Sequence, residues 1–186
     1  MAGISNNEIK RVKALQQKKV RDAEGLFIVE GEKMVQEAVD SPFDVVQVYR
    51  RSEIGDEAMG RISALASPSP ALAVVKKPAD MYVEDAAWLA PVLRDGGLFL
   101  ALDTIRDPGN LGTILRIADW FGIKAVFAAK DTVDVFNPKV VQSTMGAIFR
   151  VKMHYVDLPD LSKQILSCGG NVYGTFLDGR DMYAAE

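Results

Sequence analysis

The sequence predicts an α/β protein whose second half is built on a parallel sheet, and three observations predict it. From Leu98 onward, short apolar runs alternate with amphipathic stretches of about ten residues, the pattern of βαβ units. The first of those runs, Leu98–Asp103, breaks into a Gly/Pro/Asn turn, and a helical pattern follows at once. That layout sets polar side chains at the carboxyl end of a buried strand, where open α/β sheets build their sites. Apolar residues make up 48% of the 186 residues, enough to bury a core and too many for a disordered chain.

Several classes fall away on composition. No run approaches the ~18 apolar residues of a membrane span, and the opening MAGISNNEIKRVK lacks the apolar core of a secretory signal. The single cysteine, Cys168, forms no internal disulfide and suits a reducing compartment, so a cytoplasmic protein is expected. One histidine, His154, and one cysteine do not make a zinc site, so neither a metal nor a membrane is expected as a partner. The net charge of −3 is unevenly spread. The first 21 residues hold Lys10, Arg11, Lys13, Lys18, Lys19 and Arg21 against Glu8 alone, a net +5, which leaves −8 for the remainder.

Ser5 with Glu8 three residues later forms a capping-box pattern, so a helix is expected from about Asn6. At about 100° per residue, Ile9, Val12 and Val20 share one stripe, while Lys10, Arg11, Lys18 and Arg21 fall opposite. Those four cations are candidates for contact with nucleic-acid phosphates; the same run also reads as a solvated helix face. Leu26–Val29 reads as a strand, Glu32–Val39 as a helix and Val45–Tyr49 as a strand. A weaker helix covers Asp56–Ala66, Ser67–Pro70 turns the chain, and Leu72–Val75 is a third strand. Residues 1–76 are therefore expected to form one small α/β unit. Pro78, Pro91 and Gly96-Gly97 mark residues 77–97 as a linker, with an apolar patch around Ala86–Leu93.

Residues 98–186 then alternate. Strands are expected at Leu98–Asp103, Lys124–Ala129, Phe149–Tyr155 and Asn171–Leu177. Helices are expected at Leu111–Phe121, Leu158–Cys168 and Pro138–Met145, the last with Pro at its first turn. On the Leu111–Phe121 wheel, Leu111, Ile114, Leu115, Ala118 and Phe121 share the inner face. Arg116 lies nearly opposite, flanked by Gly112, Thr113 and Trp120. A tryptophan on that outer face points to a ligand or a second subunit rather than plain solvent. Asp103, Asp107, Asn110 and Arg116 are thus the polar groups of the first loop and helix. Asn110 also suits an N-cap, and Gly109 and Gly112 would let another backbone or a phosphate come close. A second polar loop, Lys130–Ser143, follows the next strand. Neither GxGxxG nor GxxxxGK[ST] is present, so a generic nucleotide-binding enzyme is disfavoured.

DPGNLGTILRIADWFG at Asp107–Gly122 resembles the first motif of the SpoU/TrmH RNA 2′-O-ribose methyltransferases, a branch of the SPOUT superfamily. NPKVVQSTMGA at Asn137–Ala147 is similar to that family's following loop and helix, and GTFLDG at Gly174–Gly179 to its strand before the second motif. KALQQKKVRDAEGLFIVEG at Lys13–Gly31 is similar to its ribosomal-protein-like substrate-binding extension. The resemblance implies a SPOUT α/β knot domain carrying an N-terminal RNA-binding domain. It implies S-adenosylmethionine as methyl donor and a ribose 2′-hydroxyl as acceptor, on ribosomal RNA first and transfer RNA second. By motif position it implies Asn110 and Arg116 as catalytic and Thr175 and Leu177 at the donor, and the RNA it implies gives the cations Lys10, Arg11, Lys18 and Arg21 a partner. A guanidinium holds its proton too tightly to serve as a general base. Positioning the acceptor and stabilising a developing alkoxide is the easier role for Arg116, with Asn110 expected to orient it. The family's second and third motifs would follow Glu186. The expectation is accordingly a methyltransferase domain incomplete at its C-terminus and inactive alone, from a protein that dimerises at full length. A non-catalytic RNA-binding protein on the same scaffold is the alternative.

Overall fold

The structure, a computed structural model, describes residues 4–81, 89–179, 181 and 183. The Ala86–Trp88 part of the expected apolar patch and the chain end at Glu186 lie outside the described residues. The described residues make two three-stranded sheets. In the first, β1 (Leu26–Glu30), β2 (Val45–Arg50) and β3 (Ala71–Lys76) are ordered β1-β3-β2 and antiparallel, with Phe27 opposite Val75 and Tyr49 opposite Leu72. In the second, β4 (Phe99–Leu102), β5 (Ala125–Ala128) and β6 (Met153–Tyr155) run parallel in chain order, as the βαβ pattern requires.

Side-chain alternation on the antiparallel sheet decides how the two halves meet. Leu26, Ile28, Leu72 and Val74 point into one core with Ile9, Val12 and Leu15 of the N-terminal segment and Met59 and Ile62 of α5 (Asp56–Ile62), which follows the single turn α4 (Arg51–Ile54). Phe27, Val29, Ala73 and Val75 point the other way. There they meet Met34, Val35 and Ala38 of α3 (Glu32–Asp40) and also Val140 and Val141 of α8 (Pro138–Thr144). That second core continues to Leu111 and Leu115 of α7 (Pro108–Trp120) and to Val126 of β5. One apolar cluster therefore spans both sheets. The Phe27 ring sits 4.6 Å from the Phe136 ring across it.

Three expectations need correction. The N-terminal helix is not continuous: α1 (Asn6–Ala14) ends, and α2 (Lys18–Glu24) begins after a turn at 15–17. The break resets the helical phase, so Arg21 does not lie on the exposed cationic face; it is 1% exposed. Its Nη1 donates to the carbonyls of Leu15 (3.0 Å) and Gln16 (2.8 Å), just past the end of α1. Its Nη2 and Nε donate to Asp134 at 2.6 and 3.2 Å. Second, β6 starts at Met153, because the chain before it makes a 3₁₀ turn, Ala147–Phe149. Third, residues 171–177 form no strand. They are exposed throughout, with Leu177, Phe176 and Tyr173 in solvent, and no strand pairs with their backbone among the described residues.

Two smaller differences concern end groups. The expected capping box is half made: Ser5 Oγ accepts from Glu8 N at 3.2 Å, but the Glu8 carboxylate accepts from the Tyr49 hydroxyl at 2.7 Å instead. Within residues 77–97, α6 (Leu89–Arg94) forms and buries Leu93 against Ala125, Phe127, Val156 and Leu161, the last on α9 (Leu158–Ser167).

Removing one partner of the Arg21–Asp134 pair leaves the other charge buried and unpaired. Arg21→Met or Asp134→Asn is expected to lower stability by about 3–5 kcal/mol, and Arg21→Met/Asp134→Leu to recover at least half of that. Urea unfolding followed by circular dichroism measures both.

Candidate functional site

The carboxyl end of the parallel sheet is where the two polar loops converge. After β4, Thr104 adopts φ 55°, an uncommon conformation for a β-branched residue. Its hydroxyl lies 3.0 Å from Asp103 Oδ1 and 2.9 Å from Asp131 Oδ2. Ile105 N donates to Thr132 Oγ1 at 3.3 Å, and Val133 N donates to the Ile105 carbonyl at 2.8 Å. The loop after β4 is thereby stitched to the loop after β5.

α7 then starts one turn earlier than the apolar pattern suggests. Asp107 is its N-cap, accepting from Asn110 N at 2.8 Å, and Pro108 occupies the first turn, where its missing N–H costs nothing. Asn110 is thus not the cap. Its exposed side chain has no hydrogen-bond partner among the described residues. Arg116 stands six positions further on, about 9 Å along the axis and about 120° round it. Asn110 does not orient Arg116 through any contact shown.

Arg116 is exposed and makes no ion pair among the described residues. With Thr113 and Trp120 of α7, Phe121 at its C-cap, Met145 and Arg150, it lines an open groove of about 440 Å³. Trp120 is 84% exposed, as expected of the outer face. Phe121, expected on the inner face, is 72% exposed, because it stands at the C-cap where the helical phase ends. Gly112 belongs to the inner face. A Cβ there would run into Ser143 Cβ and lie 2.8 Å from the Ser143 carbonyl carbon and 3.0 Å from Thr144 N. Of the two roles open to this glycine, close approach of another backbone is the one realised.

The second cation of the groove is spent on the protein. Arg150 donates through Nε and Nη2 to Asp119 at 2.9 and 2.8 Å, and through Nη1 to Glu37 of α3 at 2.5 Å. The Asp119 and Glu37 carboxylates hold its guanidinium in the charged form still more firmly than usual. Glu37 reaches Arg150 because residue 146 is glycine: at φ 94°, its missing Cβ is where the Glu37 carboxylate lies.

Lys10, Arg11 and Lys18 are exposed as expected. Arg11 pairs with Glu24 at 3.0 Å and Lys18 with Asp22 at 2.5 Å, pairs exposed enough to exchange for phosphate at little cost. Thr175 and Leu177 are exposed and do not line the groove that holds Arg116. Among the described residues no group of His, Cys, Asp and Glu is placed to hold a metal. His154 is buried in β6, its Nδ1 2.8 Å from the Asp80 carbonyl, and burial pushes its pKa down.

Sequence reasoning missed the Arg21–Asp134 and Glu37–Arg150–Asp119 connections. Asp134 did carry a signal: a carboxylate between Val133 and Val135, ahead of Phe136, is an acid in an apolar run and calls for a cation. Nothing local pointed to Arg21 as that cation.

The fold is that of an α/β protein with two polar loops at the carboxyl edge of a parallel sheet, an arginine-bearing groove along the outer face of the helix that follows the first loop, and a cation-bearing unit packed on it. Comparison with known proteins narrows the class. The SpoU rRNA Methylase family profile matches residues 97–186, and the profile of the MRM3-like substrate binding domain matches residues 6–77. The 23S rRNA (guanosine(2553)-2′-O)-methyltransferase RlmP of Bacillus subtilis is 29% identical over 96% of this chain and 73% of its own length. A solved structure of a protein assigned to the TrmH family of RNA methyltransferases, from Porphyromonas gingivalis, is 35% identical. It superposes with a TM-score of 0.82 over 100% of this chain and 76% of its own. An AdoMet-bound rRNA methyltransferase from Sinorhizobium meliloti, 26% identical, superposes at 0.74 over 90% of this chain and 68% of its own. The chain belongs to the SpoU/TrmH family of RNA methyltransferases.

Gly112→Ala tests the α7–α8 contact on which the groove is built. Because backbone rather than a flexible side-chain tip stands in the way, the substitution is expected to cost about 1–3 kcal/mol in thermal or urea unfolding.

Proposed function

We propose that the protein transfers a methyl group from S-adenosylmethionine to a ribose 2′-hydroxyl of ribosomal RNA. The observation that carries this reading is Arg116: an exposed guanidinium without a protein partner among the described residues, on the outer face of the helix that Asp107 caps, in a groove whose other arginine is already paired. An unpaired guanidinium there binds a phosphate of the acceptor and stabilises negative charge growing on the 2′-oxygen. Asn110, with its amide exposed in the first turn of the same helix, offers a donor and an acceptor to the ribose. The bound donor supplies an electrophilic methyl group. Thr175 and Leu177 suit it in kind, a hydroxyl and an apolar side chain exposed on the same chain segment, and they are the residues proposed to hold it. In this reading residues 1–76 hold the RNA through Lys10, Arg11 and Lys18, residues 77–97 connect, and residues 98–186 carry the chemistry.

Two further proposals accompany it. Ile117, Trp120, Phe121 and Met145 are exposed apolar residues that line the same groove, which fits a second copy of the protein and supports a homodimer. A cytoplasmic setting is also proposed, since the single cysteine, Cys168, suits a reducing compartment.

The deciding experiment follows labelled methyl transfer from S-adenosylmethionine to ribosomal RNA by the protein at its full encoded length. Arg116→Ala is expected to abolish transfer while RNA affinity stays within a few-fold; turnover retained by the variant would remove Arg116 from the chemistry. RNA binding without any transfer by the parent protein would favour the non-catalytic reading.

Replacing Lys10, Arg11 or Lys18 by Ala is expected to weaken RNA binding regardless of sequence. Each replacement should make the slope of log affinity against log salt shallower by about one unit. An unchanged slope would mean that the face is merely solvated.

A further inference from the structure

The loop between β5 and α8 makes two sets of contacts that the proposed reaction does not by itself require. Its first part, Asp131–Val133, is hydrogen-bonded to Thr104 and Ile105 of the loop that leads into α7. Its second part enters the N-terminal unit. Asp134, 7% exposed, takes two hydrogen bonds from Arg21 and also accepts Phe136 N at 3.0 Å through its other oxygen. Phe136 packs on Phe27 of β1, and the Lys77 ammonium lies 5.1 Å from the centroid of its ring. Lys77 in turn reaches Asp22, the residue after Arg21, at 2.6 Å. Arg21 meanwhile holds the last carbonyls after α1, so one guanidinium fixes α1, α2 and this loop together.

We propose that this loop, through Arg21 and Asp134, sets the distance between the cationic face of α1 and α2 and the Arg116 groove. The acceptor nucleotide is thereby chosen at a fixed spacing from the RNA segment that the N-terminal face holds. Arg21 and Asp134 are positioning residues: neither touches RNA, and both act by holding elements that do. A flexible tether between the two units would leave their effective concentration to chance, whereas a buried, hydrogen-bonded pair fixes both spacing and orientation. This inference rests on the RNA methyl-transfer reading.

The test compares the parent chain with Asp134→Asn and Arg21→Met, using spin labels at Ala23→Cys and Ser167→Cys in a Cys168→Ser background. Affinity is measured for an RNA of about 30 nucleotides and for one of about six, too short to engage both regions at once. The parent is expected to give one narrow distance distribution. In the variants that distribution should broaden or split, and affinity for the long RNA should fall about tenfold while affinity for the short RNA holds. Loss of a merely structural support would lower both affinities alike. If Asp134→Asn or Arg21→Met does not fold, Asp134→Glu, which keeps the charge and lengthens the arm, is compared in the same way. A folded variant whose distances are unchanged, or whose long-RNA affinity is unchanged despite broadened distances, overturns the proposal. A parent chain that binds neither RNA defeats the reading beneath it instead.

Discussion

Two-sided burial of the antiparallel sheet is the constraint on which the rest of the structure depends. β1 is buried along its whole length and β3 in all but Lys76, yet the N-terminal segment and α5 cover only one face. The opposite face is completed by α3 together with α8 and, behind it, α7. Each large side chain there, Phe27 or Val29 for example, contributes about 1.5–3 kcal/mol by leaving water. Separating the halves would return that surface to solvent. A unit whose sequence suggests a tethered binding domain is therefore part of one core with the sheet that carries the site.

That packing determines which side of α7 is available for chemistry. Gly112, Leu111, Leu115 and Ala118 are committed inward, with the glycine allowing the backbone of α8 to approach. What remains outward is Thr113, Arg116, Ile117 and Trp120. The two arginines of the groove then differ by their carboxylates. Arg150 has Asp119 on one side and Glu37 on the other, so its charge is neutralised and its geometry fixed. Arg116 has neither. A cation left without a counter-charge beside exposed aromatic residues is suited to an anionic partner, and the contrast between the two makes Arg116 the informative one.

Much of this was legible along the chain, for reasons that are local. The βαβ alternation, the strands of both sheets and the outward direction of Arg116 follow from periodicities of 2 and 3.6 residues, and the start of α8 from a proline whose missing N–H suits a first turn. What was not legible depended on partners distant in sequence. Arg21 and Asp134 are 113 positions apart, as are Glu37 and Arg150, and no local pattern pairs them. The break after Ala14 was hidden because Leu15–Gln17 carries neither Gly nor Pro; the freed carbonyls are satisfied instead by Arg21. Asn171–Leu177 reads as a strand from its apolar residues, but a strand exists only where a neighbour offers a ladder, and none does among the described residues.

Thr104 shows the same logic at the scale of a single residue. A β-branched side chain at positive φ is strained, and such strain persists only where the surroundings hold it. The hydroxyl contacts to Asp103 and Asp131, the bond from Ile105 N to the Thr132 hydroxyl and the backbone bond from Val133 N to Ile105 supply that hold. Its consequence reaches Asp107, three residues on, whose cap fixes where α7 begins and hence where Asn110 stands. The loop after β5 thus bears on the site from one end and on the N-terminal unit from the other. Substitutions far from the groove, at Thr104 or Asp131, have a physical route to Asn110 that needs no motion of the sheet itself.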